Sequence, residues 1–266
     1  MRAKKSLGQN FLVDGQIIAR IVSALAPQKG ETIVEIGPGR GALTGQIIER
    51  AGRVVAVELD REFVPQLREK FAARDNFTIM EADALTVNFA EIIAPATSAR
   101  VVANLPYNIS TAILQRLLAQ RNCLTELVLM LQREVVERVA APPGHRERGY
   151  LSVLVEAYAE AETVFDVPPE AFRPVPQVWS TVARLRVREH PALASCDESL
   201  LWPVVSAGFA QRRKTIGNNL KAAPASLQDR LAMAGGVIPS LEKAGIDPQR
   251  RAETITFDEW ARLARL

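Results

Sequence analysis

The sequence predicts an α/β protein: a mainly parallel sheet with helices on both faces, joined to a small all-helical C-terminal domain. Three observations predict it. Apolar, β-branched runs alternate with segments of helical periodicity through the first part of the chain. A glycine-rich turn, "GPGRG" at 37–41, joins the first of these strands to the helix after it. Beyond residue 190 the strand-like runs cease, leaving helical patterns with Gly and Pro breaks. A domain boundary near residue 190 follows, dividing residues 1–190 from residues 191–266.

Residues 14–26, "DGQIIARIVSALA", place apolar side chains at helical spacing behind Asp14, a residue suited to capping a helix. "ETIVEIG" (31–37) is a near-continuous apolar run, as expected of a strand buried on both faces, and "ALTGQIIERA" (42–51) is the helix after it. "RVVAVELD" (53–60) is a second strand, leading into a helix over 61–73. "FTIMEAD" (77–83) and "ARVVANL" (99–105) are the third and fourth, and "STAILQRLLAQ" (110–120) is the helix that follows. "TELVLMLQ" (125–132) is the fifth, running into "REVVERVAA" (133–141). "APPGHRERG" (141–149) is an exposed loop. "LSVLVEAYAEAETVFDVP" (151–168) and "STVARLRVR" (180–188) then supply a helix and the last strands, expected to be antiparallel.

A chain of 266 residues with 48% hydrophobic and 24% charged side chains is ordinary for a globular protein. It contains no apolar run of about 18 residues, which argues against a membrane span. The opening "MRAKKSLGQNFL" lacks the hydrophobic core and cleavage site of a signal peptide. Two cysteines, Cys123 and Cys196, and two histidines offer neither a disulfide framework nor a metal site. The expected compartment is reducing cytoplasm, and the default state is a monomer. A net charge of +3 says little alone, but basic residues cluster at Arg2, Lys4 and Lys5, at Arg212, Arg213 and Lys214, and at Arg250 and Arg251. Several such clusters raise the expectation of a polyanionic partner.

"VEIGPGRGALT" (34–44) places Gly37, Gly39 and Gly41 between a strand and a helix, where a ligand can approach the backbone closely. Glu58 ends the next strand, about 20 residues on, where a carboxylate can grip ribose hydroxyls. Dinucleotide binding is the rival reading. The G-x-G-x-G spacing, with Glu35 two residues before the first glycine, departs from the G-x-G-x-x-G of dinucleotide folds. Asp83 in "EADAL" sits just beyond the third strand, placed to accept from an adenine amine. The arrangement resembles the class I S-adenosylmethionine-dependent methyltransferases, which implies a Rossmann-like sheet with helices on both faces and S-adenosylmethionine as cofactor. In that resemblance Gly37, with Gly39 beside it, lies against the cofactor, Glu58 holds its ribose and Asp83 contacts its adenine.

The fourth strand ends in "NLPYNIST" (104–111), and Asn104-Leu105-Pro106-Tyr107 matches the (N/D)-x-P-Y motif of amino methyltransferases. Each residue has a chemical reason. An exocyclic N6 amine is a poor nucleophile because its lone pair is delocalised into the purine. The Asn104 amide oxygen and the Leu105 carbonyl, by taking both N–H bonds, favour an sp³-like nitrogen aimed at the methyl. Pro106 shapes the turn, and Tyr107 offers a stacking face worth about 1–3 kcal/mol. No strong base is needed, so positioning and electrostatics carry the rate. Asn108 is expected to cap the helix beginning near Ser110.

Five segments in one order, "SLGQNFL" (6–12), "EIGPGRGALT" (35–44), "NLPYNIST" (104–111), "FRPVPQVWSTVARL" (172–185) and "FAQRRKTIGNNL" (209–220), span nearly the whole chain. Together they resemble the small-subunit rRNA adenine dimethyltransferase family. The resemblance implies double methylation of N6 of two adjacent adenosines near the 3′ end of small-subunit rRNA, during ribosome biogenesis. It further implies that Asn10 and Leu12 touch the cofactor, as does Asn104, and that Phe172 sandwiches the adenine with Tyr107. It implies that Arg212, Arg213 and Lys214 contact RNA phosphates. From the residues alone, Phe172 is more simply a core side chain and the basic triplet a solvated helix face. Trp179 and Gly217 depart from the family pattern, and a packing difference is expected at Trp179. The rivals are the large-subunit rRNA methyltransferases of macrolide resistance, a DNA adenine methyltransferase, for which no target-recognition domain is visible, and a subunit-binding assembly factor.

Overall fold

The computed structural model describes residues 9–190, 192 and 196–265. The basic cluster Arg2, Lys4 and Lys5 and the first residues of "SLGQNFL" lie outside them. The chain divides into two compact units, the first formed by residues 1–136 and 160–189, the second by 137–159 and 190–266.

Among the described residues nine strands form: β1 (Phe11–Leu12), β2 (Thr32–Ile36), β3 (Arg53–Glu58), β4 (Phe77–Glu81), β5 (Ala99–Asn104), β6 (Leu124–Gln132), β7 (Ala159–Val167), β8 (Phe172–Arg173) and β9 (Ser180–Val187). Seven of them make one sheet in the order β4-β3-β2-β5-β6-β9-β7. The pairs from β4 through β6 are parallel, and β6 meets β9 antiparallel. β1 and β8 form a separate antiparallel ladder, with Leu12 opposite Phe172. The helices of this part are α1 (Gly15–Leu25), α2 (Thr44–Ile48), α3 (Phe63–Lys70), α4 (Phe89–Ile93) and α5 (Ser110–Ala119), and the division falls within α6 (Arg133–Val139).

Strand composition explains the layering. Every residue of β2 is buried, so both of its faces are covered, as the unbroken apolar run requires. The α1 stripe Ile17, Ile18, Ile21, Val22 and Leu25 is buried, while Asp14 caps the helix by accepting from the Gln16 and Ile17 amides at 2.8 and 3.1 Å. Removing each such aliphatic side chain from water contributes about 1.5–3 kcal/mol. Strand order reverses at β2, which has β3 on one side and β5 on the other. Ligands bind at such a switch point, beyond the C-terminal ends of the strands.

The second unit holds α7 (Tyr150–Tyr158), α8 (Glu198–Gly208), α9 (Ile216–Lys221), α10 (Ala225–Met233), α11 (Val237–Lys243) and α12 (Phe257–Leu263). Residues 137–159, placed by sequence with the sheet, therefore belong with these helices. Their attachments give the reason. Trp202 packs against the rings of Tyr150 and Tyr158, the Tyr158 hydroxyl donates to Glu198 at 2.8 Å, and the Gly144 amide donates to the Glu253 carbonyl at 2.8 Å. The wholly buried Arg148 guanidinium pairs with Glu156 at 2.6 Å and donates to the Ala141 carbonyl, so the loop over 141–149 is anchored from within. Gly217 is explained here too. The chain at Pro248 comes so close that a side-chain carbon at Gly217 would lie 3.0 Å from its carbonyl oxygen.

Close backbone approach is sharpest at Gly52, where an added Cβ would lie 2.2 Å from the Lys29 carbonyl oxygen, whereas one at Gly30 would meet nothing within 4 Å. Gly52→Ala is expected to lose about 1–3 kcal/mol of stability in chemical denaturation. Gly30→Ala should stay within about 0.5 kcal/mol of the parent.

Candidate active site

The C-terminal ends of β2, β3, β4 and β5 bring the expected residues to one edge of the sheet. Gly37, Gly39 and Gly41 follow β2 with φ of 66°, 54° and 74°, a left-handed path that glycine adopts without strain. Glu58, at the end of β3, holds that path in place: its Oε2 accepts from the Gly39 amide at 3.0 Å and its Oε1 from the Asp60 amide at 2.8 Å. Each carboxylate oxygen retains a lone pair for a further donor. Burial raises the Glu58 pKa from its ordinary value. Asp83 lies two residues past β4, its Oδ1 accepting from the Leu85 amide at 2.8 Å.

Glu35 is nearly inaccessible on β2, and its Oε2 accepts from the Thr44 hydroxyl at 2.6 Å. Desolvation pushes its pKa up to about 7, opposed by the Thr44 hydrogen bond and reinforced by the neighbouring Glu58.

At the end of β5 the Asn104 Nδ2 donates to the Asn10 carbonyl at 3.0 Å, which fixes the orientation of the amide and leaves Oδ1 as its acceptor. The Leu105 amide donates to the Met130 carbonyl at 3.2 Å, so the turn leaves the sheet tethered to β6. Tyr107 is half-buried, with its hydroxyl 2.7 Å from Ser180 Oγ, and burial raises its pKa.

Two cavities meet along this edge, sharing Gln9, Gly37 and Pro106. One is lined by Asn10, Leu12, Glu35, Asn104, Leu105 and Tyr107 among others, and the other by Ile36, Val57, Glu58, Asp83 and Ile113 among others. The second combines apolar walls with a carboxylate at each of two strand ends, the acceptor set that a nucleoside with a diol and an exocyclic amine requires. The residues thus fit S-adenosylmethionine, the methyl donor that this class of fold implies.

Among the residues singled out for function, structure and sequence differ at Phe172, at Asn108 and at the basic triplet. Phe172 has no exposed surface: its β8 pairing with Leu12 turns the ring into a core cluster with Ile17, Met130 and Val182. As placed, it supports the wall behind Leu12 and offers no face to a base, which corrects the expectation of a second exposed ring. Asn108 is exposed and caps nothing; α5 begins after Ile109, and the Ser110 hydroxyl donates to the Tyr107 carbonyl at 3.2 Å. Arg212, Arg213 and Lys214 are exposed in the second unit, in the turn between α8 and α9 and not inside a helix. The Arg212 guanidinium donates to the Arg146 carbonyl. At Trp179 the packing is local, with the ring half exposed and the Arg133 guanidinium 5.8 Å from its centroid.

Sequence reasoning missed Gln9, Thr44, Asp60 and Ser180. Gln9 donates to Asp60 Oδ2 at 2.9 Å, tying the segment before β1 to the loop after β3. The Gln9–Asp60 and Ser180–Tyr107 pairs are distant in the chain, while Thr44 pairs with Glu35 nine residues before it; Glu35 had been singled out for its place before the glycines and Tyr107 for stacking, neither for these hydrogen bonds.

The strand order, the glycine turn held by a strand-end carboxylate and the amide-proline-tyrosine exit from β5 define a class I methyltransferase. The ribosomal RNA adenine dimethylase family model matches residues 1–263. The chain is 42% identical over 263 residues to the ribosomal RNA small subunit methyltransferase A of Hahella chejuensis, covering 99% of this chain and 92% of that protein. It is 44% identical over 270 residues to the protein of the same name from Moorella thermoacetica, with 98% and 91% covered. The fold matches that of a dimethyladenosine transferase from Plasmodium falciparum at a TM-score of 0.80 and 22% identity over 95% of each chain. It also matches the 23S rRNA methyltransferase ErmE at a TM-score of 0.70 and 26% identity, covering 96% and 98%. The chain belongs to the ribosomal RNA adenine dimethylase family and is a methyltransferase. Among the described residues no helix is long and apolar enough to cross a membrane.

Glu35 gives the site a pH signature. Its carboxyl titrates near 4.5 when unfolded and near 7 when folded, so the folded state binds the proton more tightly between those values. Stability from this group is full at low pH and declines as pH rises toward about 7. Thermal melting from pH 5 to 8 is expected to fall more steeply for the parent than for Glu35→Gln. Parallel curves would show that burial of this group is not coupled to folding.

Proposed function

We propose that this protein transfers methyl groups from S-adenosylmethionine to N6 of two adjacent adenosines near the 3′ end of small-subunit rRNA, two on each, during ribosome biogenesis. The observation that carries the reading is the Asn104 amide, turned by the Asn10 carbonyl so that its oxygen is the available acceptor. A target that donates two hydrogens to one nitrogen matches this oxygen and the adjacent Leu105 carbonyl. The identities of 42% and 44% to small-subunit methyltransferases support that rRNA address over the large-subunit one.

When bound, S-adenosylmethionine supplies an electrophilic methyl whose bond electrons pass to the sulfonium sulfur. Glu58 would hold the ribose diol and Asp83 the adenine amine, with Gln9, Asn10 and Leu12 closing the near side and Gly37 and Gly39 allowing close approach. Asn104 Oδ1 and the Leu105 carbonyl accept from the target N6 and draw its lone pair out of conjugation. The N–C bond then forms on a nitrogen already aimed, and its proton leaves for solvent afterwards, so no general base is required. Pro106 holds the turn, and the Tyr107 ring stacks on the flipped base. Arg212, Arg213 and Lys214 contact phosphates of the RNA, and the enzyme works as a cytoplasmic monomer.

Tritiated-methyl transfer to undermethylated small subunits, large subunits and DNA, run in parallel, tests the assignment. Label is expected in small subunits, at N6 of adenosine. Label confined to large subunits or DNA would sink it.

A further inference from the structure

The reading above gives no role to a buried hydroxyl that touches its stacking residue. Ser180 is wholly buried at the start of β9, opposite Gln132 at the end of β6, and the partner of its Oγ is the Tyr107 phenol at 2.7 Å. Burying a hydroxyl is unfavourable unless it is hydrogen-bonded, and an alanine would continue the β6–β9 ladder equally well. The fold therefore does not require this oxygen. Tyr107 does, because its ring stands on the turn after Pro106 and not on a strand.

We propose that Ser180 is a positioning residue that holds the Tyr107 ring, and that this hold governs the second methyl transfer to a nitrogen more than the first. The inference rests on the N6 dimethylation reading and names what steers its second round.

The chemistry of the acceptor gives the reason. Adenine N6 starts with two N–H bonds, which the Asn104 oxygen and the Leu105 carbonyl take together. In the first transfer one N–C bond forms, the methyl–sulfur bond breaks with its electron pair going to sulfur, and one N–H proton leaves for solvent. The product is a secondary amine with a single N–H. In the second transfer the same bonds form and break, but only one of the two acceptors can be engaged. Hydrogen-bond steering is halved, while the stacking face is unchanged. Orientation of the base in the second round thus leans more heavily on the ring. Tyr107 is held at its backbone by the Ser110 hydroxyl on its carbonyl at 3.2 Å, and its ring by Ser180 on the phenol.

Single-turnover transfer to undermethylated small subunits, with digested RNA resolved into monomethyl and dimethyl adenosine, separates the two steps. The variants are Ser180→Ala, Tyr107→Phe and the pair together. The ratio of second-step to first-step rate is expected to fall about five-fold in Ser180→Ala, the effect of one neutral hydrogen bond, so monomethyl adenosine accumulates. Cofactor affinity should stay within about two-fold, since Ser180 lines neither cavity. Tyr107→Phe removes the same hydrogen bond from the other side and should give the same ratio even if Ser180→Ala folds poorly. The double variant should be no worse than either single one. Equal slowing of both steps, an unchanged ratio or additive losses would overturn the inference. A parent enzyme that places no methyl on N6 would instead overturn the functional reading, and the parent control reports this directly.

Discussion

The hydrogen bond from Asn104 Nδ2 to the Asn10 carbonyl is the contact on which the rest of the site depends, and much of the fold serves to make it. Asn104 is the last residue of β5, paired with Met130 of β6, and Ala103 just before it is paired on both sides, with Ile36 of β2 and Leu129 of β6. Asn10 comes from a distant segment, held against the site by the short β1–β8 pairing and by the Gln9 bond to Asp60. An amide alone can rotate to exchange its donor and acceptor ends. With the donor end engaged, the acceptor end is committed.

The electrostatics of the edge follow from the same economy of space. Glu35 and Glu58 lie on neighbouring strands and are both nearly buried, and the charge of Glu58 raises the cost of ionising Glu35. Glu58 accepts from the Gly39 and Asp60 amides, and Glu35 from the Thr44 hydroxyl, with the Thr44 backbone also lowering its pKa. Burial raises the Glu58 pKa, and the two amides that its oxygens accept from act against that rise. Glu35 sits near the midpoint of its titration at neutral pH. One sheet edge thus holds two acids whose pKa values are both raised by burial and lowered by local donors.

The sheet and its order of motifs were legible in the sequence because buried parallel strands leave long apolar runs and because glycine and proline mark their exits. Gly37, Glu58, Asp83 and Asn104 were legible for the same reason: each stands at a strand end, where position can be counted from the pattern. The fate of Phe172 was not, since a ring beside a Pro-x-Pro segment can face either way, and its pairing with Leu12 joins residues 160 positions apart. The division of 137–159 from the sheet was hidden as well, because it depends on the buried Arg148 and on the Tyr150 and Tyr158 rings against Trp202. Ser180 looked like the first residue of a strand, and nothing local announces a phenol across the sheet.

The claim that most needs testing is that Asn104 acts on the acceptor nitrogen. Asn104→Ala, compared with the parent by titration calorimetry for S-adenosylmethionine and by single-turnover transfer, separates binding from chemistry. The account predicts a fall in transfer of at least about 100-fold with cofactor affinity within about three-fold of the parent. A loss of cofactor affinity as large as the loss of rate would contradict it.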